Sequence, residues 1–334
     1  APGPVFWGVS WVATIVPVLL LDFLGGRSLA SFLIGGFFLG IGGTSFAVGV
    51  PFVSAWFPPE RRGLAIGIFG VGMVGTAISA FTTVRLVEFG SSATPFLVTA
   101  AALAIYAVVA WLLLRDAPGQ VRPTTSMAKR VGETLKLGVT WQAAALYATL
   151  FGGYVAFSVY LPSLLKAEYD LSIGDASNRM AGFVILAVIM RPVGGFLSDK
   201  IGPVPVLATC LGAVVFGALI DATSPALFPI ATIAYLVMAA GLGAGSGATF
   251  ALVALLSPAG KVGSVTGVVG AAGGLGGFVP PLLMGVVYGA TGSYTIGFLL
   301  LALVAAAVLV FTLTSIRSVL AKRDAVEVQR EVAA

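Results

Sequence analysis

Charged side chains are scarce in this sequence: Asp, Glu, Lys and Arg make up 9% of its 334 residues, where a soluble domain carries roughly 25%. So few charges cannot coat a water-facing surface. A soluble enzyme, a disordered chain and a nucleic-acid binder are therefore set aside as classes. Histidine is absent and Cys210 is the single cysteine, which excludes a disulfide within the chain and any His/Cys metal cluster. No metal, cofactor or catalytic residue is expected, and the chain is not read as an enzyme. The opening apolar run also lacks the basic n-region and cleavage site of a signal peptide.

What is present is apolar. Hydrophobic residues reach 58% and the mean hydropathy is +1.06. A bilayer-spanning helix needs about 20 apolar residues, and ten such runs can be marked, at about 4–21, 29–56, 63–84, 95–114, 142–164, 179–198, 203–220, 226–255, 263–289 and 294–316. None of them contains Asp or Glu. The one long polar stretch, 115–141, reads as a linker, and the charged residues after 316 read as a tail. The expected division is 1–114 as four helices of a first half, 115–141 as linker, 142–316 as a six-helix second half and 317–334 as tail.

The net charge of +5 follows membrane topology and does not indicate nucleic acid. With the linker placed in the cytoplasm, thirteen Lys and Arg fall on the cytoplasmic side. Arg27, Arg85, Lys166 and Arg179 fall opposite, and Arg191 remains inside a run. The positive-inside rule then makes the protein a multi-pass resident of the cell membrane with linker and C-terminus cytoplasmic. The lipid bilayer is its one expected macromolecular environment; no protein partner is inferred.

A shift of 200 superposes Gly43 on Gly243, Pro58 on Pro258, and Gly63, Gly67 and Gly70 on Gly263, Gly267 and Gly270. Each copy is a helix, a short turn and a glycine-rich helix. The second copy is preceded by two helices that the first lacks. The repeat thus predicts an all-α polytopic fold of twelve helices in two six-helix halves, ten of them present and the first two missing. Paired halves with a site between them at mid-membrane are a secondary-transporter plan.

Arg191 is the sharpest feature. At 1.5 Å per residue it lies roughly 12 Å inside Asp199, which marks the cytoplasmic end of its run. A cation at that depth costs about 2.5 kcal/mol or more unless it faces a partner or a polar cavity. A snorkelling arginine, or one held by backbone carbonyls, is the bland alternative. The guanidinium is a rigid, permanently charged fork suited to a small planar oxyanion. Asp199 and Lys200 close the run Gly195-Phe196-Leu197-Ser198-Asp199-Lys200-Ile201-Gly202; Asp199 can accept from a helix N-terminus in one conformation and release it in another. The glycines at 63, 67, 70, 263, 267 and 270 permit close helix approach and smooth faces for the halves to rock upon. Gly70-Val71-Gly72-Met73-Val74-Gly75 fits a dinucleotide fingerprint only formally, since no strand precedes it. Phe46, Tyr147, Phe151 and Phe250 are mid-run aromatics that could wall a pocket or fill a core.

The run 195–202 resembles the loop signature of the major facilitator superfamily. The stretches 42–52 and 56–67 look like the nitrate signature of its nitrate/nitrite porter family, and so does 241–250 with the helix 263–281. Arg191-Pro192-Val193-Gly194-Gly195 is similar to the segment bearing that family's second substrate arginine. The resemblance implies a carrier that binds nitrate or nitrite between two arginines, Arg191 being the second and the first lying on a missing helix. It implies Phe46 and Phe250 as aromatic walls, with Tyr147 and Phe151 as further pocket residues. One departure is Met73, which stands where the family commonly places Asn. The expected function is nitrate/nitrite transport by alternating access, within nitrate assimilation. Exchange (an antiporter) is favoured because no acid or histidine lies in the runs to carry a proton. The alternatives are a carrier for another small or organic anion and a non-transporting scaffold or sensor.

Overall fold

The structure is a computed structural model that describes residues 14–19, 21, 29–58, 61–118, 126–258 and 260–319. The expected span at 4–21 and the charged tail lie largely outside the described residues. The described regular structure is helical throughout, as backbone in hydrocarbon must be when it satisfies its own N–H and C=O groups. Among the described residues eight helices are long and apolar enough to cross a membrane.

In chain order the helices are α1 (Leu29–Leu39), α2 (Thr44–Ser54), α3 (Arg62–Gly70), α4 (Val74–Phe89), α5 (Thr94–Leu113) and α6 (Met127–Leu135). They continue with α7 (Gly138–Tyr169), α8 (Ile173–Ile201), α9 (Pro203–Asp221), α10 (Thr232–Leu256), α11 (Val262–Thr291) and α12 (Thr295–Phe311).

Four expected spans are not single α-helices: 226–255 opens with a π-helical turn at Leu227–Ala231, 294–316 closes with one at Thr312–Ile316, and two others break internally. The run 29–56 tightens into a 3-10 turn at Gly40–Gly43, and 63–84 does so at Val71–Met73 before α4 continues to Phe89. Both breaks fall where glycines cluster, and glycine is the weakest helix former after proline. The run 203–220 gains one residue, Asp221, which is buried at the end of α9 although the sequence reads it as loop.

The elements start and stop for local reasons. Ser172 caps α8, its hydroxyl accepting from the Asp175 N–H at 3.1 Å. Gly202 separates α8 from α9 at φ 84°, a region that suits glycine, and Pro203 then opens α9 where a missing N–H costs nothing.

The core is built mainly on α7, α8, α9 and α10, which hold the large fully buried side chains, among them Tyr147, Phe183, Leu207 and Phe250. Helices α3 and α4 pack on α8, and α2 packs on α11. α8 and α10 touch backbone to backbone: a methyl on Gly194 would collide with the Ala244 carbonyl, one on Gly243 with the Ala187 carbonyl, and one on Gly247 with the Arg191 carbonyl.

The linker carries one helix that hydropathy does not reveal. The Ser126 hydroxyl caps α6, accepting from the Lys129 N–H at 3.4 Å. Glu133 then pairs with Lys261 at the foot of α11, 3.0 Å away, and the hydroxyls of Thr134 and Ser264 lie 2.7 Å apart. The Lys261 ammonium holds the exposed Glu133 carboxyl below the usual carboxylate range, by hydrogen bonding first and charge second.

Candidate functional site: a buried guanidinium in an aromatic wall

Arg191 sits two-thirds of the way along α8 and is 3% exposed. Its Nη2 donates to the Tyr147 hydroxyl at 3.2 Å. Tyr147, Phe151 and Tyr154 fall on one face of α7, because positions 0, 4 and 7 of a 3.6-residue helix align. The Tyr147 and Phe151 rings stack, with centroids 4.6 Å apart and planes 6° from parallel. Phe250 on α10 meets Tyr147 edge-on at 4.7 Å. The guanidinium carbon stands 5.3 Å from the Phe151 centroid, within cation–π range. The second-half residues singled out in the sequence, Arg191, Tyr147, Phe151 and Phe250, are thus brought together. Phe46 falls in α2, but its side chain lies outside the described residues.

Helix α3 closes the group from the other side. A Cβ on Gly70 would lie 2.6 Å from Arg191 Nε, and one on Gly67 would lie 2.6 Å from Pro192 Cα. Their repeat mates behave differently: Gly267 and Gly270 have nothing within 4 Å of a would-be Cβ. Contact in α11 is made further along, where Gly273 abuts Tyr147 and Gly276 the Ala148 carbonyl. A glycine every third residue drifts around a helix by about 60° per step, so the stripe reaches α7 only at those later positions. The surroundings of Gly63 lie outside the described residues, and Gly263 is partly buried in the first turn of α11.

Asp199, in the last turn of α8, accepts a hydrogen bond at 3.0 Å from the Leu64 N–H in the first turn of α3. That N–H has no partner within its own helix, and the helix end is electropositive. Lys200 lies 4.5 Å over the Phe196 ring. The contact ties α3 to α8 at the end opposite Ser172.

One neighbour of the cluster escaped the sequence reading. Tyr154 is 3% exposed and its hydroxyl makes no hydrogen bond of good geometry among the described residues. The Thr76 side chain on α4 and the Arg191 guanidinium are its polar neighbours. A cavity of about 610 Å³ between α7, α11 and α12 is a separate feature. Its walls include Ala145, Thr149 and Ala156 on the opposite face of α7, and Arg191 is not among its lining residues.

The arrangement offers a planar cation, a phenol and stacked rings, which suits a flat, singly charged oxyanion. Burying the charge of such an ion is offset by the fork of donors on Arg191.

Comparison with known proteins gives the family. The family model for the Major Facilitator Superfamily matches residues 3–178 and 143–332. The chain is 46% identical over 312 residues to a Mycobacterium tuberculosis (strain H37Rv) protein named "Probable nitrate/nitrite transporter NarK2", covering 92% of this chain and 78% of that protein. It is 34% identical over 302 residues to the "Nitrite extrusion protein" of Bacillus subtilis (strain 168), covering 90% and 74%. Among solved structures, the human organic anion transporter MFSD10 matches with a TM-score of 0.73 at 14% identity, covering 93% of this chain and 77% of that one. The E. coli fucose:proton symporter FucP matches with a TM-score of 0.66 at 17% identity, covering 93% and 83%. The two structures speak to the fold alone; the family model and the relatives establish that the chain belongs to the nitrate/nitrite porter family of the major facilitator superfamily.

Proposed function

We propose that this chain moves nitrate and nitrite across the cell membrane by alternating access, with Arg191 as the anion's charge partner in the second half. The observation that carries the reading is the Arg191 guanidinium, buried at the seam between α3 and α8 and hydrogen-bonded to Tyr147. The names of the relatives support the substrate class. Tyr147 fixes the fork, Phe151 and Phe250 restrict the pocket to flat ions, and Phe46 supplies a wall from α2. The division into a first half to 114, a linker to 141 and a second half to 316 belongs to the same proposal. So does the orientation with linker and C-terminus in the cytoplasm, which rests on the Lys/Arg bias.

The mode we favour is exchange of nitrate for nitrite, because none of the ten apolar runs holds Asp or Glu and the chain has no histidine. In this scheme the Asp199 contact with α3 holds the closed end in one state and is released in the other, while α3 and α4 shift against α8.

The test is nitrate uptake into nitrite-loaded proteoliposomes, run beside Arg191→Ala and with chloride as competitor. Uptake that Arg191→Ala abolishes and chloride leaves alone is the expected result. Nitrite counterflow no faster than uptake driven by a pH gradient would sink the exchange mode. Absence of nitrate uptake in either regime would overturn the substrate assignment. A second reading, transport of another small anion, is favoured by Met73 at the family's Asn position. Failure of nitrate to compete for binding would select it.

A further inference from the structure

The Tyr154 hydroxyl is a buried donor that neither the packing nor the proposed role of Tyr147 explains. A phenol buried with no well-formed hydrogen bond, only a poorly aligned contact with Thr76, is costly, and phenylalanine would fill the same volume. The hydroxyl is held beside Thr76 on α4 and within electrostatic reach of Arg191. Its ring lies 5.9 Å from Phe151, in line with the aromatic wall. Its neighbour Thr76 is three residues along from Met73, the thioether that cannot donate a hydrogen bond.

The chemistry of the two candidate ions gives this position a use. Nitrate is a flat ion with three equivalent oxygens; nitrite is bent and has two. A guanidinium fork meets two oxygens side by side. Nitrite is then fully engaged, whereas nitrate presents a third oxygen pointing away from the fork. We infer that the Tyr154 hydroxyl, oriented by Thr76, donates to that third oxygen and makes the site prefer nitrate over nitrite. The inference rests on the reading of Arg191 as the anion's partner. It assigns Tyr154 the donor function that Met73 leaves unfilled.

The experiment is to measure nitrate and nitrite affinities by calorimetry on the purified, reconstituted protein for wild type, Tyr154→Phe and Thr76→Val, with melting temperatures to verify folding. A hydrogen bond to a charged group corresponds to about a tenfold change in affinity or more. Tyr154→Phe is expected to weaken nitrate by about that factor and nitrite by much less, so that the nitrate:nitrite ratio collapses. Thr76→Val is expected to move the ratio the same way by a smaller factor. A wild-type ratio in both variants overturns the inference while leaving Arg191 in place. Equal weakening of both ions in Tyr154→Phe overturns it as well, because that is the signature of a merely structural role. If wild type binds nitrate no better in the presence of Arg191 than in Arg191→Ala, the reading of the site falls and the inference falls with it.

Discussion

Arg191 lies against Gly70: a methyl group on that glycine would stand 2.6 Å from the guanidinium Nε and 3.1 Å from its Cζ. The missing side chain on α3 is what allows the cation of α8 to occupy its place. Position 70 and position 191 are therefore one structural unit drawn from two sides of a seam.

Gly70→Ala should consequently reduce nitrate uptake, because the guanidinium must turn away from Tyr147 to make room. Alanine is otherwise favoured over glycine in a helix by roughly 1 kcal/mol, so loss of helix stability would not account for the defect. Gly72→Ala, where nothing lies within 4 Å of the new methyl, should retain wild-type uptake. Side-by-side flux assays at matched protein levels check the contrast; equal activities would contradict the close contact.

Arg191→Lys keeps the charge and removes the fork. With hydrogen bonds to charged groups contributing about 1.5–3 kcal/mol, nitrate affinity should drop about 10- to 100-fold despite the retained positive charge. Calorimetric titration of the purified variant measures this. A lysine variant binding as tightly as wild type would mean that the site reads charge alone.

Asp199→Asn keeps an acceptor for the Leu64 N–H and discards the charge at the α3 terminus. Charge at a helix end contributes about 0.3–1 kcal/mol, which is a shift of up to about fivefold in the balance between conformations. Transport rate should change while equilibrium nitrate affinity changes little. An unaltered rate would remove Asp199 from the conformational cycle.

The pairing of Glu133 with Lys261 predicts a pH dependence of known sign. The Glu133 carboxyl is lowered in the folded protein, so its contribution is complete above the ordinary carboxylate range. It fades as pH falls through the lowered value. Docking of α6 on α11 should therefore persist at neutral pH and loosen only in acid. Spin-label distances between α6 and α11, followed down in pH for wild type and Glu133→Gln, would reveal it. A distance insensitive to both acid and the substitution would show that Thr134 and Ser264 hold α6 unaided.

Arg191 was legible in the sequence because a lone charge inside an apolar run has no bland neighbours to hide among. Tyr147 and Phe151 stood out as mid-run aromatics, and the family resemblance favoured pocket over core for them; Tyr154 did not stand out at all. Hydropathy does not say which face of α7 a ring occupies, and that helix also carries Phe157 and Tyr160. The breaks at Gly40–Gly43 and Val71–Met73 were hidden for a related reason. Glycine reads as neutral in a hydropathy window while it loosens the backbone. Helix α6 was obscured by the prolines and glycine just before it, which made the whole stretch look like coil. Asp221 falls in the gap between the runs 203–220 and 226–255, where a carboxylate beside Ala, Thr, Ser and Pro looks like a turn; its burial depends on packing that hydropathy does not show.

Where α8 and α10 touch, the atoms in contact belong to main chains. Side chains can absorb a displacement by changing rotamer, but carbonyls seated on glycines have no such compliance. The pair formed through Gly194, Gly243 and Gly247 should behave as a rigid frame, with Arg191 and Phe250 bolted to it at constant separation. In the proposed cycle an ion held there would be carried rather than handed over, its binding geometry on this side the same whichever compartment it faced. The deformation that switches access must then be borne by the softer members of the assembly, the glycine-interrupted helices that lean against the frame.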